Sequence, residues 1–126
     1  MELVSIYYFD SYALIKLLEG ADSYDTMQRA EVVTHKLNLM EVCFQLIKKK
    51  MPKKDVMLIY EYLKQYSFEE IDDELLFEAM YLRMQNYHKK LSYVDALGYV
   101  FAKKNNIKFL TGDNAFQDLP NVQFIK

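Results

Sequence analysis

Short apolar runs alternate with amphipathic stretches along the chain, and this alternation limits the possible folds more than any other feature. The run from Leu3 to Phe9 is rich in aromatic and branched residues and stops at Asp10, which is typical of a buried strand. Because parallel strands need crossover connections, strands separated by helices predict an α/β fold with a mainly parallel sheet. The further strands are expected at residues 32–34, 67–71, 107–110 and 122–125.

The stretches between these runs have apolar residues three and four positions apart, as helices do. The clearest covers residues 39–47, where Leu39, Val42 and Leu46 share one face. Gly20 stands where a helix over 11–19 would take a glycine after its last turn. The remaining helices are expected at residues 23–31, 53–66, 73–90 and 93–105.

Length and composition indicate an ordinary globular chain. Its 126 residues, 52% hydrophobic and 27% charged, suit a single domain spanning residues 1–126. The single cysteine excludes a disulfide framework and a cysteine-rich zinc site. No apolar run approaches the roughly 18 residues of a membrane helix, and the first residues lack the basic start of a secretory signal. We therefore expect a cytoplasmic protein that does not engage a membrane.

Four acids lie at the ends of predicted strands or near the starts of predicted helices. In open α/β sheets, ligands bind beyond the carboxyl ends of the strands. Asp10 follows the first predicted strand, Asp113 follows the fourth, and Glu41 lies in the first turn of the helix after the second. Asp95 lies in the first turn of a helix that follows another helix, so this rule does not place it. We expect Asp10, Glu41 and Asp113 at one edge of the sheet.

Each acid taken alone also has a structural interpretation. The patterns Asn38-x-x-Glu41 and Ser92-x-x-Asp95 both have the form of a capping box, in which an acid at the third helical position bonds back to the cap. Asp10 could cap the helix that follows it, and Asp113 could lie in a turn. Helix capping therefore explains the acids one by one, but not their occurrence as a set.

As a set, the four acids point to a metal. Carboxylates that converge on one pocket repel each other, and some would stay protonated unless a cation intervened. Oxygen ligands without histidine or cysteine favour Mg²⁺ or Mn²⁺. Such a site suits phosphoryl chemistry, in which the metal activates water and stabilises the transition state.

The segments around the acids resemble a known family. In order, they resemble the four acidic motifs of the PIN domain, and the chain looks most like the VapC-type toxin nucleases. The resemblance extends from Tyr8 to about Phe116. The four segments are Phe9-Asp10-Ser11-Tyr12-Ala13-Leu14, Asn38-Leu39-Met40-Glu41-Val42, Ser92-Tyr93-Val94-Asp95-Ala96-Leu97 and Leu110-Thr111-Gly112-Asp113-Asn114-Ala115-Phe116.

This resemblance implies a three-layer α/β fold with a five-stranded sheet in the order 3-2-1-4-5. It implies a metal-dependent endoribonuclease that leaves 5′-phosphate and 3′-hydroxyl ends, commonly a homodimer, with an antitoxin as partner where it serves as a toxin. The hydroxyls of Ser11 and Thr111 would support the site. The catalytic, metal-binding acids would be Asp10, Glu41, Asp95 and Asp113.

The charge balance is compatible with an RNA substrate. Sixteen basic residues against eighteen acidic ones give a net charge of −2, but leaving out the four site acids reverses the sign to +2. Lys48, Lys49 and Lys50 are expected to help bind RNA, with a solvated helix end as the alternative. Arg29 and Arg83 lie outside the four motifs and receive no role.

Two other functions compete with the nuclease. A non-catalytic PIN-fold module that binds RNA or a protein partner would share the fold without the chemistry. A receiver-like phosphoacceptor domain also clusters acids at strand ends, but it needs paired acids after its first strand, where this chain has only Asp10. His35 and His88 lack a nearby histidine or cysteine partner in the sequence, so neither is expected to be a ligand or a base.

Overall fold

The computed structural model describes residues 5–20, 30–68 and 70–126. The strands in these ranges are β1 (Ile6–Phe9), β2 (Glu31–His35), β3 (Ser67–Phe68), β4 (Lys108–Thr111) and β5 (Val122–Phe124). The α-helices are α1 (Ser11–Glu19), α2 (Lys36–Lys48), α3 (Lys53–Lys64), α4 (Asp73–Gln85) and α5 (Tyr93–Lys104), and short 3-10 turns occupy Tyr87–Lys89 and Asn114–Phe116.

The five strands form one sheet in the order β3-β2-β1-β4-β5, and every pair is parallel. The predicted α/β class, the strand order and the parallel sheet are therefore confirmed. The register pairs Phe9 of β1 with Leu110 of β4, which brings the ends of these two central strands level with each other. In the described ranges, no helix is long and apolar enough to cross a membrane.

Apolar residues pack on both faces of the sheet, which gives three layers. Neighbouring residues of a strand point to opposite faces, so Tyr8 and Phe109 enter one core while Phe9 and Leu110 enter the other. The first core is completed by α4 and α5, and the second by α1, α2 and α3. The helical residues fully buried in the second core are Ala13, Leu14, Leu39, Val42 and Leu63.

Gly98 lets α5 approach the sheet closely. A Cβ atom at this position would lie 2.7 Å from Cε1 of the Tyr8 ring, closer than side chains tolerate. On the neighbouring residue, the hydroxyl of Tyr99 donates to the carbonyl oxygen of Pro120 at 2.6 Å. These contacts fix α5 against β1 and against the segment that leads into β5.

One predicted helix is too long. The helix expected over 73–90 ends at Gln85, and Asn86 follows it as the cap. The amide of Asn86 donates to the carbonyl oxygen of Leu82 at 3.0 Å, a bond that competes with continued helix. Lys90 then adopts a left-handed conformation with φ of 55°. The helix expected over 23–31 falls almost entirely on residues outside the described ranges.

Candidate active site

Asp10 and Thr111 lie side by side where β1 and β4 end. Because Phe9 is in register with Leu110, the next residue of each strand reaches the same edge of the sheet. The hydroxyl of Thr111 donates to Oδ2 of Asp10 at 2.5 Å, and the backbone N–H of Ala13 donates to Oδ1 at 2.8 Å. Asp10 thus caps α1, as the sequence suggested for it, but its side chain is also buried, with only 3% of the residue exposed.

Asp113 joins this pair through the backbone. Its N–H donates to the hydroxyl of Thr111 at 3.0 Å, so one threonine contacts both acids. The exposed side chain of Asp113 accepts a hydrogen bond from the N–H of Ala115 at 3.0 Å. Gly112 permits the close packing of this segment, because a Cβ there would lie 2.6 Å from the carbonyl oxygen of Ile125 and would clash with Cε1 of the Tyr12 ring.

Asp95 reaches the same edge because α5 leads back into β4. A crossover helix runs opposite to the parallel strands it connects, so its first turn lies at their carboxyl ends. The predicted capping box is confirmed: Ser92 Oγ accepts from the N–H of Asp95 at 3.0 Å, and Asp95 Oδ2 accepts from the N–H of Ser92 at 3.1 Å.

Glu41 has no capping role, so that alternative was wrong for this residue. The helix α2 begins at Lys36 directly after β2, with His35 as its cap, and Glu41 therefore lies in the second turn rather than the first. Asn38 is inside the helix and does not cap it. The side chain of Glu41 instead accepts a hydrogen bond from the hydroxyl of Ser11 at 2.6 Å.

A hydrogen-bonded chain, which the sequence did not predict, supports Glu41 from the core. The amide of Asn38 donates to Ser11 at 3.1 Å, and the hydroxyl of Tyr8 donates to Asn38 Oδ1 at 2.7 Å. Nδ1 of buried His35 lies 2.8 Å from the same hydroxyl. Since Tyr8 gives its one proton to Asn38, His35 must carry the Nδ1 proton and donate it. Only the presence of Asn38 in the second motif hinted at this arrangement.

The four acids act on each other electrostatically. Burial raises the pKa of Asp10 to about 7, and repulsion from Asp95 and Asp113 adds to the effect, although bonds from Thr111 and Ala13 oppose it. Burial also raises the pKa of Asp95, with repulsion from Glu41 and Asp113. The fold thus brings the four predicted acids to one edge, which we call the acidic edge (Asp10, Glu41, Asp95 and Asp113).

The chemistry of the acidic edge fits a divalent cation. All donors are oxygens, and burial, together with repulsion between the carboxylates, raises the pKa values of Asp10 and Asp95 despite their local hydrogen bonds. Across the residues that the structure describes, no three acidic, histidine or cysteine side chains stand close enough to hold one ion together. An ion here would therefore be held by part of the set directly and by the rest through water.

A groove of about 320 Å³ lies next to Glu41, lined also by Met40, Phe44 and Gln45. The ammonium group of Lys48 lies 5.9 Å from the centroid of the exposed Phe44 ring, and Phe44 lines this groove. The other two predicted RNA-binding lysines differ from Lys48. Lys49 forms an ion pair with Glu19 at 3.5 Å, and Lys50 is exposed beyond the end of α2.

Comparison with known proteins agrees with the fold. The family model of the PIN domain matches residues 7–122. A toxin–antitoxin complex from Klebsiella pneumoniae contains a similar chain, with a TM-score of 0.70 at 20% identity over 93% of this chain and 95% of that one. No curated protein is similar enough in sequence to match.

Two further solved structures are similar over nearly their whole length. One is VapBC2 from Rickettsia felis bound to a DNA fragment from the promoter, with a TM-score of 0.69 at 17% identity over 95% of this chain and 97% of that one. The other is VapBC-1 from nontypeable Haemophilus influenzae, with a TM-score of 0.71 at 12% identity over 96% and 97%. At these identities the likeness establishes the fold.

Proposed function

Because the chain belongs to the PIN domain family, we propose that it is a metal-dependent endoribonuclease that hydrolyses internal phosphodiester bonds of RNA. The observation that carries this proposal is the acidic edge, where buried Asp10 is repelled by Asp95 and Asp113, and half-buried Asp95 is repelled by Glu41 and Asp113. A fold that needed these acids only as caps would gain nothing from burying their charge.

Within this proposal, Asp10 and Asp95 are the principal holders of Mg²⁺ or Mn²⁺, and Glu41 and Asp113 complete or extend the set. When bound, such an ion lowers the pKa of water and stabilises negative charge on the phosphate. The chain's own contribution is orientation. Thr111 holds Asp10 and the backbone of Asp113, while Ser11 holds Glu41.

The chain has two histidines, both within the described ranges, and neither is positioned to act as a base. His35 is buried, and burial lowers its pKa to about 4, while His88 is exposed on the turn after α4. Activation of water would therefore depend on the ion rather than on an imidazole. We expect the cleavage rate to rise with pH, and His88→Ala to change it little.

RNA binding in this proposal involves Lys48, Lys49 and Lys50. Lys48 contributes most, because its ammonium group lies over Phe44, which lines the groove next to Glu41, whereas the ion pair with Glu19 compensates part of the charge of Lys49. Neutralising Lys48 should therefore flatten the salt dependence of RNA binding more than neutralising Lys49 does.

The cellular role we propose is that of a VapC-type toxin with an antitoxin as its protein partner. The similar solved chains in a toxin–antitoxin complex and in two VapBC structures support this role. We further propose that the protein works in the cytoplasm as a homodimer, as the resemblance to this family implies.

Cleavage of mixed RNA tests the enzymatic part of the proposal. Wild type should cut RNA with Mg²⁺ or Mn²⁺, stop when EDTA is added, and leave 5′-phosphate and 3′-hydroxyl ends. Asp95→Asn should fold normally yet lose most activity, since the amide keeps the shape and removes the charge. The control is Asp55→Asn, at an exposed acid in the first turn of α3.

Three results would contradict the nuclease mechanism. Cleavage that survives EDTA, or products with 2′,3′-cyclic ends, would exclude metal-activated water. RNA binding without cleavage under any divalent metal would favour the non-catalytic PIN-fold module. A loss of stability in Asp95→Asn with intact turnover would reduce Asp95 to a helix cap.

A further inference from the structure

A small basic pocket adjoins the start of α5, and its lining includes neither the four acids nor the lysines at the end of α2. Its volume is about 200 Å³, and it is lined by Arg83, Tyr87, Lys90 and Leu91. Leu91 directly precedes the cap residue Ser92, so the pocket lies just before the helix that carries Asp95.

Arg83 is held firmly within this pocket. Its Nε–H donates to the carbonyl oxygen of Leu91 at 2.9 Å, and its guanidinium carbon lies 4.4 Å from the centroid of the Tyr93 ring. In the part of the chain that the structure describes, the ion pairs do not include Arg83. A guanidinium offers five N–H donors in a fixed fork, so one bond to Leu91 leaves most of them for a ligand.

The two lysines beside the pocket are in different situations. The ammonium group of Lys89 lies 2.5 Å from Asp118, and this carboxylate compensates its charge. Lys90 lines the pocket, and the ion pairs of the described residues do not include it. The pocket therefore combines two positive charges with the apolar or hydroxyl-bearing surfaces of Tyr87 and Leu91, and it suits an anion.

The pocket and the proposed cleavage site share the first turn of α5. Tyr93 is the first residue of this helix and Asp95 the third, and residues two positions apart on a helix point to different faces. Arg83 packs on Tyr93, which brings its charge to the same end of the helix as the acid. An RNA strand with one phosphate at the acidic edge presents another phosphate on either side.

We propose that Arg83 and Lys90 bind a phosphate of the RNA strand other than the one that is cleaved. This inference rests on the proposed function, because it assigns a second contact to the same substrate. The pocket anchors the strand beside the acidic edge, and Arg83 contributes more than Lys90 because its fork can contact two phosphate oxygens at once.

The salt dependence of RNA binding tests this assignment. Binding of a short single-stranded RNA is measured in EDTA at several salt concentrations, so that no cleavage occurs. Each lost phosphate contact should lower the slope of log K against log salt by about 0.7. We expect this for Arg83→Gln and Lys90→Gln, with affinity several-fold weaker, while Lys89→Gln keeps the wild-type slope. Arg83→Lys should keep the slope and lose part of the affinity.

Thermal unfolding of each variant accompanies the binding measurements. Should Arg83→Gln unfold, because the carbonyl of Leu91 loses its donor, Lys90→Gln still tests the pocket, since its ammonium group can be neutralised without removing a backbone contact. An unchanged slope in Lys90→Gln and in every folded Arg83 variant would overturn the inference. A slope change of the same size in Lys89→Gln would also overturn it, since that would indicate diffuse charge.

Failure of this inference can be told apart from failure of the nuclease. A protein that cleaves RNA, but whose slope does not depend on Arg83 or Lys90, contradicts the pocket alone. A protein that binds RNA through Arg83 and never cleaves it contradicts the nuclease and leaves the pocket supported. A protein that binds no RNA contradicts both.

Discussion

Asp10 and Asp72 perform the same local task in different surroundings. Asp10 accepts a hydrogen bond from the N–H of Ala13 at the start of α1, and Asp72 accepts one from the N–H of Leu75 at the start of α4, at 2.8 and 2.7 Å. Asp72 is exposed and its charge remains hydrated, whereas Asp10 is only 3% exposed. A helix cap therefore does not require the burial that Asp10 undergoes.

The difference between the two regions concerns charge rather than local structure. At the acidic edge, burial and neighbouring carboxylates raise the pKa of Asp10 to about 7, so ionising Asp10 costs more free energy than ionising an exposed aspartate. Asp95 repeats this pattern, because it completes a capping box with Ser92 and its pKa is also raised by burial. A bound cation would explain why Asp10 and Asp95 have raised pKa values in its absence. Helix capping explains neither the burial of Asp10 nor the raised pKa of Asp95.

The largest effect is expected on RNA cleavage, when the cap residues Asp10 and Asp72 are each replaced by asparagine. Asp10→Asn should lower RNA cleavage by at least about 100-fold, because an amide cannot replace a charged metal ligand. Asp72→Asn should leave the rate within about two-fold, since asparagine caps a helix about as well as aspartate. Initial rates on one RNA substrate with Mn²⁺ measure both. Equal losses in the two variants would mean that capping, not metal binding, explains Asp10.

A comparison of the two histidines gives the next largest effect. Burial lowers the pKa of His35 to about 4, so the unfolded chain binds a proton that the folded chain does not between pH 6.5 and 4. Stability should therefore fall as the pH is lowered through this range, by up to about 3 kcal/mol from this group. His35→Asn should lack that loss relative to wild type, while His88→Asn, at an exposed histidine, should retain it.

Urea unfolding of the three proteins at pH 4, 5, 6 and 7 measures the differences. Since Asp10 has a raised pKa, its contribution changes in the opposite direction over this range, and for that reason each variant is compared with wild type at the same pH. A constant difference between wild type and His35→Asn at every pH would show that His35 is not buried in its neutral form.

Without metal, the substitution that should abolish most activity, Asp10→Asn, should increase the stability of the protein. The same substitution at Asp72 should have little effect. In EDTA at pH 7, Asp10→Asn should be more stable than wild type by about 1–3 kcal/mol, because a neutral amide escapes desolvation and repulsion. Asp72→Asn should change the free energy of unfolding by no more than about 0.5 kcal/mol. A less stable Asp10→Asn protein would mean that the hydrogen bond from Thr111 outweighs the burial of charge.

Comparison of two serines tests how far the acidic edge depends on its supporting hydroxyls. Ser11→Ala removes the donor that holds Glu41 and should lower RNA cleavage by about 10-fold with little change in melting temperature. Ser67→Ala removes a bond to the carbonyl of Lys64 on an exposed turn and should leave cleavage unchanged. If both variants cleave RNA as wild type does, Glu41 does not need positioning by Ser11.

Much of the fold and of the acidic edge can be predicted because the information is local. The run that ends at Phe9 predicts both β1 and the place of Asp10, and the pattern Ser92-x-x-Asp95 predicts the start of α5. The prediction that Glu41 lies in the first turn of its helix was wrong. The strand β2 passes directly into α2 at His35, and no glycine or proline marks the junction in the sequence.

The features that the sequence did not reveal depend on contacts between distant residues. Tyr8 and Asn38 are 30 positions apart in the sequence, and no periodic pattern of the chain predicts the hydrogen bond between them. The role of Arg83 depends on where α4 ends: a helix continuing to residue 90 would not form the turn that brings Leu91 and Tyr93 to the guanidinium.

Calorimetric titration with Mn²⁺ tests the central claim most directly, since it measures metal binding apart from RNA. Wild type and Asp72→Asn should bind the ion with equal affinity, whereas Asp10→Asn should bind it much more weakly or not at all. Equal affinity of all three proteins would contradict the account, because the burial of Asp10 would then have no connection with metal.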